Sequence, residues 1–241
     1  MKALVKRSLG RKFSRDFLEK LTEYSIAETE PAVSLSEAEH LMPEGSDWVS
    51  VIERGREELW RRTFSGYSDK PRLWLEFGVY KGESLRFFAG LDQNPNSRFI
   101  GFVSFEGLPE DWRGMAAERF DLGGNIPVIE DPRVRFVRGW FQDSLPPIIS
   151  ELRESLADGR ELVVHFDADL YSSTLFLLFA LHDLTDRYHF IFDEFSGHET
   201  RALFNFLQAS GATAKYSHRL DWRGFPQIVS GQMFALARKA T

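Results

Sequence analysis

FDADLYSST (Phe166–Thr174), followed one helix length later by FIFDEF (Phe190–Phe195), decides the reading of this chain. Each stretch ends an apolar run, LVVHF (162–166) and HFIF (189–192), and each run stops at carboxylates: Asp167 and Asp169 after the first, Asp193 and Glu194 after the second. Short, nearly continuous apolar runs are what strands buried on both faces of a parallel sheet require. Neighbouring parallel strands that end this way bring their acids to one edge, where open α/β sheets bind ligands. Hard oxygen donors grouped there suit a small divalent cation such as Mg²⁺, which takes one or two carboxylates with water and substrate oxygens.

Outward from these two runs the same alternation continues. Strand-like segments read as LWLEFGV (73–79), RFIGFVSF (98–105), VRFVRG (134–139), ELVVHFDAD (161–169), YHFIFDEF (188–195), TAKYSH (213–218) and QMFALAR (232–238). Helical apolar spacing covers Ser84 to Leu91, Pro146 to Ala157, Ser172 to Arg187 and Glu199 to Ser210, with Gly211 as the cap of the last. Strand alternating with helix predicts an α/β fold, a Rossmann-like, mostly parallel sheet with helices on both faces. No helix separates the last two strands, so they are expected to form an antiparallel edge.

Residues 1–70 differ: charged helical stretches at Lys12 to Ser25 and Val51 to Phe64 flank an acidic segment, Glu28 to Asp47. They read as an N-terminal helical arm, packed on the sheet or on a second subunit, or as a lid over the substrate; residues 71–241 form the main domain.

The net charge of -6 argues against nucleic acid or an anionic membrane as the main partner and favours a small molecule. The absence of cysteine excludes disulfides, thiol nucleophiles and zinc–thiolate sites. No apolar run approaches the roughly 20 residues of a membrane-spanning helix. The basic start, MKALVKRSLGRKF (1–13), has only Ala3-Leu4-Val5 as an apolar run, too short for a secretory signal. A cytoplasmic enzyme is the expectation, a transit peptide the alternative.

After the first strand, Glu76, Gly78, Gly82 and Ser84 form E-x-G-x-x-x-G-x-S. A dinucleotide loop needs glycine where this chain has Tyr80, and no G-K-[ST] follows for a nucleotide triphosphate. A turn that only packs helix against strand remains one reading. The other is an adenosine ligand without phosphates, whose positive charge Glu76 meets; S-adenosylmethionine is such a ligand.

Four blocks in order, LEFGVYKGES (75–84), GFVSFEGLPEDW (101–112), VRGWFQDSLP (137–146) and HFDADLYSST (165–174) with IFDEF (191–195), resemble the macrocin O-methyltransferase family of S-adenosylmethionine-dependent enzymes. The resemblance implies a seven-stranded sheet with the cofactor over the ends of the first three strands. It places the methionine portion at Glu76, Gly78, Gly82 and Ser84, the ribose at Ser104, Phe105 and Glu106, and the adenine at Gly139, Trp140, Phe141 and Gln142. It implies metal ligation by Asp167, Asp193 and Glu194, with Mg²⁺ assisting methyl transfer to a hydroxyl of a sugar-containing or other small natural product.

Three departures stand out. Val103 replaces the family's ribose-binding Asp, the acidic pair is Asp-Glu rather than Asp-Asp, and Asp186-Arg187-Tyr188 replaces a glycine turn.

Asp167 and His198 are the candidate bases. Competing readings are acids that merely cap the next helix, His165 as a core residue, and a homo-oligomer built through the N-terminal helices. A non-catalytic adenosine-ligand-binding protein is the functional alternative. A nicotinamide dehydrogenase is disfavoured by Tyr80 and Val103 together.

Overall fold

The computed structural model describes residues 55–104, 107–109, 116, 120, 123–195, 197–222 and 225–235. The helix expected at 12–25 and the acidic stretch at 28–47 lie outside the described residues, as do Phe105 and Glu106.

The elements run α1 (Arg56–Ser65), β1 (Arg72–Phe77), α2 (Glu83–Leu91), β2 (Arg98–Val103), β3 (Val134–Arg138), α3 (Phe141–Ser144) and, after a single 3-10 turn, α4 (Ile149–Ala157). They continue with β4 (Glu161–Phe166), α5 (Tyr171–His182), β5 (Arg187–Phe192), α6 (His198–Ser210), β6 (Thr213–Trp222) and β7 (Phe225–Phe234). The strands make one 7-stranded sheet in the order β3-β2-β1-β4-β5-β7-β6. The pairings β3-β2, β2-β1, β1-β4 and β4-β5 are parallel, and β7 runs antiparallel to both β5 and β6. The expected mostly parallel sheet with an antiparallel edge is therefore present.

Side-chain alternation along each strand sorts the core into two layers. Leu73, Leu75 and Phe77, with Val164, Phe166, Phe190 and Phe192, face α4, α5 and α6. Trp74, Phe99, Val163 and Ile191 face α1 and α2, which contribute Leu59, Trp60, Leu85 and Phe88. Apolar residues three and four apart give α1 and α2 one buried stripe each. Burying a side chain of this size stabilises by about 1.5–3 kcal/mol. Helix α1 thus packs on the sheet, and its Thr63 hydroxyl meets that of Ser230 on β7 at 2.7 Å.

Some boundaries moved for local reasons. The last strand starts at Phe225 rather than near 232, because Pro226 and Gly231 look like loop residues in sequence. Gly231 is needed for close strand approach: a Cβ there would lie 2.2 Å from the carbonyl oxygen of Lys215. Helix α5 stops at His182, short of the expected Arg187, and the four-residue α3 is too short to leave a periodic signal. Gly211 caps α6 as expected, at φ 71 with its N–H on the Leu207 carbonyl.

Winding outward from the centre, β1 leads to β2 and β3 on one side while β4 leads to β5 on the other. The order reverses between β1 and β4, so the crevice at the carboxyl ends falls between the loop after Phe77 and the loop after Phe166.

Candidate active site

Backbone hydrogen bonds stitch that edge together strand by strand. The Gly139 N–H reaches the Val103 carbonyl at 3.1 Å, Gly78 reaches Phe102 at 3.1 Å, Asp167 reaches Phe77 at 2.9 Å and Asp193 reaches Phe166 at 2.9 Å. The glycine loop and the acid loop touch. At Gly78, with φ 103, a Cβ would stand 1.8 Å from the Asp167 carbonyl oxygen, so only glycine fits. The packing role weighed for this turn is real at that position.

Strand register places Glu76 directly beside His165 across β1 and β4. Both project to the α1/α2 face, as does Asp193 just beyond β5. His165 Nδ1 lies 3.3 Å from Glu76 Oε2 and its Nε2 lies 3.5 Å from Asp193 Oδ1. These are ion-pair contacts without hydrogen-bond alignment, and those buried atoms have no aligned partner among the described residues. The imidazole is closed in by the rings of Trp60 and Phe88, with centroids 5.6 and 5.2 Å away. Burial opposes its charge, but the carboxylates of Asp193 and Glu76 outweigh it and raise the pKa to about 10.

His165, read from sequence as a core residue, is thus a buried cation. Arg56, at the first turn of α1, meets Asp193 Oδ2 at 3.2 Å and Glu83 Oε2 at 3.6 Å. Charges alternate from Glu83 through Arg56, Asp193 and His165 to Glu76.

Asp167 lies beside this row, within reach of the charges of Asp193 and His165. Burial first, then the negative charges of Asp193 and Asp169, push its carboxyl well above the usual range, with His165 pulling the other way. A carboxyl raised in this direction holds a proton more readily than an exposed one, a property that serves a general base. His198 has a different place: its Nδ1 accepts the backbone N–H of Tyr171 at 3.3 Å, at the start of α5. That contact ties His198 to the start of α5.

The expected convergence of Asp167, Asp193 and Glu194 on one cation is not formed as such. Among the described residues no group of three or more His, Asp or Glu side chains is disposed to hold a metal. Asp193 faces Arg56 and His165, while the backbone N–H of Glu194 bonds Glu199 Oε2 at 3.3 Å. Asp167 and Asp193 alone still suit Mg²⁺, which needs no more than two carboxylates. Their proximity registers in the raised pKa of Asp167, and Asp193 Oδ1 lacks an aligned donor.

The expected cofactor residues lie along the same edge in several roles. Glu76 is 1% exposed, and its Oε1 accepts the Ser84 hydroxyl at 2.7 Å. Gly82, at φ 72, begins α2. Ser104 donates to the Gly107 carbonyl at 2.7 Å and so shapes the turn after β2. Gly139, at φ 128, opens the turn after β3. Trp140 caps α3, Gln142 is exposed, and Phe141 packs edge-on against Phe77 at 5.4 Å as part of the core.

Sequence reasoning missed Arg56 and Glu199. Glu199 is 1% exposed, and Ala168 donates its backbone N–H to Oε1 at 3.2 Å. Burial, with the charges of Asp169 and Glu194, pushes its carboxyl well above the usual range. A cleft of about 400 Å³ lies at the opposite edge of the sheet. Its charges pair locally, Arg135 with Glu151 at 2.5 Å and Arg160 with Asp158 at 3.1 Å, and none of the acids discussed above lines it.

Comparison with known proteins bears on family and fold. Residues 118–225 match the family model of the macrocin O-methyltransferases (TylF), a range that holds the third and fourth sequence blocks. No curated protein gives a significant match. Among solved structures, the O-methyltransferase NovP superposes with a TM-score of 0.55 at 21% identity, over 74% of this chain and 80% of that one, a likeness of fold. The O-methyltransferase TomG from Streptomyces achromogenes, solved with SAM, has a TM-score of 0.45 at 14% identity, over 90% of this chain and 95% of that one. A cmcI structure with Mg and SAM has a TM-score of 0.42 at 18% identity, over 95% and 87%. Over residues 118–225 the chain is thus similar to the macrocin O-methyltransferases, and its fold is that of the O-methyltransferase NovP.

Proposed function

We propose that this chain transfers the methyl group of S-adenosylmethionine to a hydroxyl of a small natural product, sugar-containing or otherwise, at the edge where the glycine loop meets the acid loop. The observation that carries the reading is the meeting of Gly78 and Asp167 at the switch point of the sheet, in a chain whose residues 118–225 match the macrocin O-methyltransferase model. The cofactor's amino-acid end would lie at the Gly78–Gly82 turn, its ribose by the end of β2 and its adenine by the turn at Gly139.

Transfer is an in-line displacement: the acceptor oxygen forms a bond to the methyl carbon as the carbon–sulfur bond breaks, and the sulfur keeps the electron pair. Aligning oxygen, carbon and sulfur contributes part of the roughly 7–11 kcal/mol available from positioning. Asp167, set against the Gly78 turn, takes the hydroxyl proton. Asp167 and Asp193 would hold Mg²⁺, with Arg56 giving up Asp193 Oδ2. When bound there the ion supplies charge that makes the acceptor hydroxyl more acidic.

The test has two arms with the purified full chain. Calorimetric titration with S-adenosylhomocysteine measures cofactor binding, and no heat at millimolar ligand would sink the reading. A panel of sugars, polyols and phenols with methyl-labelled cofactor identifies the acceptor. Tight binding with no labelled product would favour the non-catalytic alternative.

A further inference from the structure

The loops after β4 and β5 carry the acids of the proposed site, and strand pairing alone does not fix them beyond Asp167 and Asp193. Both loops are gripped by one side chain. Glu199 Oε1 accepts the N–H of Ala168, between Asp167 and Asp169, at 3.2 Å, and its Oε2 accepts the N–H of Glu194, next to Asp193, at 3.3 Å. The carboxylate is 1% exposed, so no bulk water substitutes for either contact. An acid in the first turn of a helix ordinarily serves that helix's own N-terminus, but α6 begins at Gly197 without a side-chain cap bond. Both Glu199 oxygens reach away from α6 to other segments.

The grip has a conformational counterpart. Asp169, the residue after Ala168, sits at φ 60, a left-handed conformation that residues other than glycine adopt at a cost. The turn is closed within the loop by the Leu170 N–H on the Ala168 carbonyl at 2.6 Å, and contacts from α6 flank it. Glu199 on Ala168 and His198 on Tyr171 attach the loop to α6 at both ends of that turn.

We infer that Glu199 is a positioning residue, a buried brace whose two oxygens set the separation of the Asp167 and Asp193 loops. This rests on the proposed methyl transfer for its consequence but not for its geometry. Glu199→Gln keeps the length and loses one of the two acceptors, because the amide nitrogen cannot receive an N–H. Glu199→Ala loses both.

Hydrogen exchange read residue by residue tests the brace without any acceptor. In the unmodified full chain the amides of Ala168 and Glu194 should both be protected although they lie in loops; loop-rate exchange at either would overturn the inference. Exchange should quicken about tenfold or more at one of them in Glu199→Gln and at both in Glu199→Ala, with the Val164 and Phe190 amides inside β4 and β5 unchanged. Unaltered exchange at both loop amides, or a uniform rise across the strands, would overturn it as well.

With the best acceptor from the panel, kcat should fall roughly a hundredfold in Glu199→Ala and less in Glu199→Gln, at unchanged S-adenosylhomocysteine affinity. A parallel loss of cofactor affinity would make Glu199 an ordinary stabilising residue. If no acceptor is methylated, the exchange data still decide the brace, and only the reading of the reaction fails.

Discussion

The sheet carries two buried charge networks, one at each edge, and they are built differently. At the amino edge, Asp92 Oδ2 accepts from Trp74 Nε1 at 2.9 Å, Ser97 Oγ at 2.8 Å and Arg72 Nη1 at 3.3 Å, while its Oδ1 accepts the Asn94 N–H at 3.0 Å. At the carboxyl edge, His165 faces Glu76 and Asp193 at ion-pair distance, with aligned hydrogen bonds missing on both ring nitrogens among the described residues. A carboxylate saturated by fixed donors is finished structure. Buried polar atoms left without alignment are costly, and folds tolerate them chiefly where a ligand or reaction uses them.

The largest effect should come from removing the saturated Asp92 carboxylate. Asp92→Ala leaves Arg72, 3% exposed, as a buried unpaired charge, and should cost about 3–5 kcal/mol of stability. Thermal unfolding measures the loss, and S-adenosylhomocysteine affinity measured in the folded range should stay constant.

The carboxyl edge should be sensitive to pH through His165. His165 is faced by Glu76 and Asp193, with Arg56 on the far side of Asp193, and its pKa is raised from 6.5 to about 10. A raised folded-state value means that its stabilising contribution is complete below about 6.5 and is lost as the pH climbs from there to about 10. Asp167 and Glu199 are also raised and act with the same sign from the usual carboxylate range upward. His165→Gln should therefore flatten, without abolishing, the fall in urea-unfolding stability across that window. An unchanged slope would mean that His165 is neutral.

Two smaller effects sharpen the contrast. Val103, half-buried at the end of β2, stands where the resemblance expects a ribose-binding acid. Val103→Asp should tighten cofactor binding about tenfold or more, the equivalent of a charged hydrogen bond worth roughly 1.5–3 kcal/mol. Arg56→Gln removes the guanidinium that competes for Asp193, so calorimetry should find Mg²⁺ bound severalfold more tightly, by at most about 1 kcal/mol because Arg56 is half-exposed.

What could be read in the sequence follows the same division. Strands announce themselves as apolar runs, and acids that end those runs are visible, so Glu76, Asp167 and Asp193 were found together with the sheet. The partners of those acids were not. His165 sits in an apolar strand with nothing local to mark it as charged, because its neighbours are chosen by the register of β1 against β4. Arg56 reaches Asp193 from 137 residues away. Glu199 looks like any acid at a helix start until the backbone of two distant loops is placed beside it. Ser104 and Phe141, which the resemblance places at the cofactor, also shape a turn and pack on the core.

The most direct test of the account is methyl transfer by the purified full chain with and without divalent cation, run beside Asp167→Asn. Transfer to the acceptor should stop in excess chelator and return on adding Mg²⁺. Asp167→Asn should lose roughly a hundredfold or more of kcat at unchanged cofactor affinity. Transfer that continues undiminished in chelator, or an Asp167→Asn enzyme as fast as the unaltered chain, would contradict the proposed roles of Asp167 and the metal.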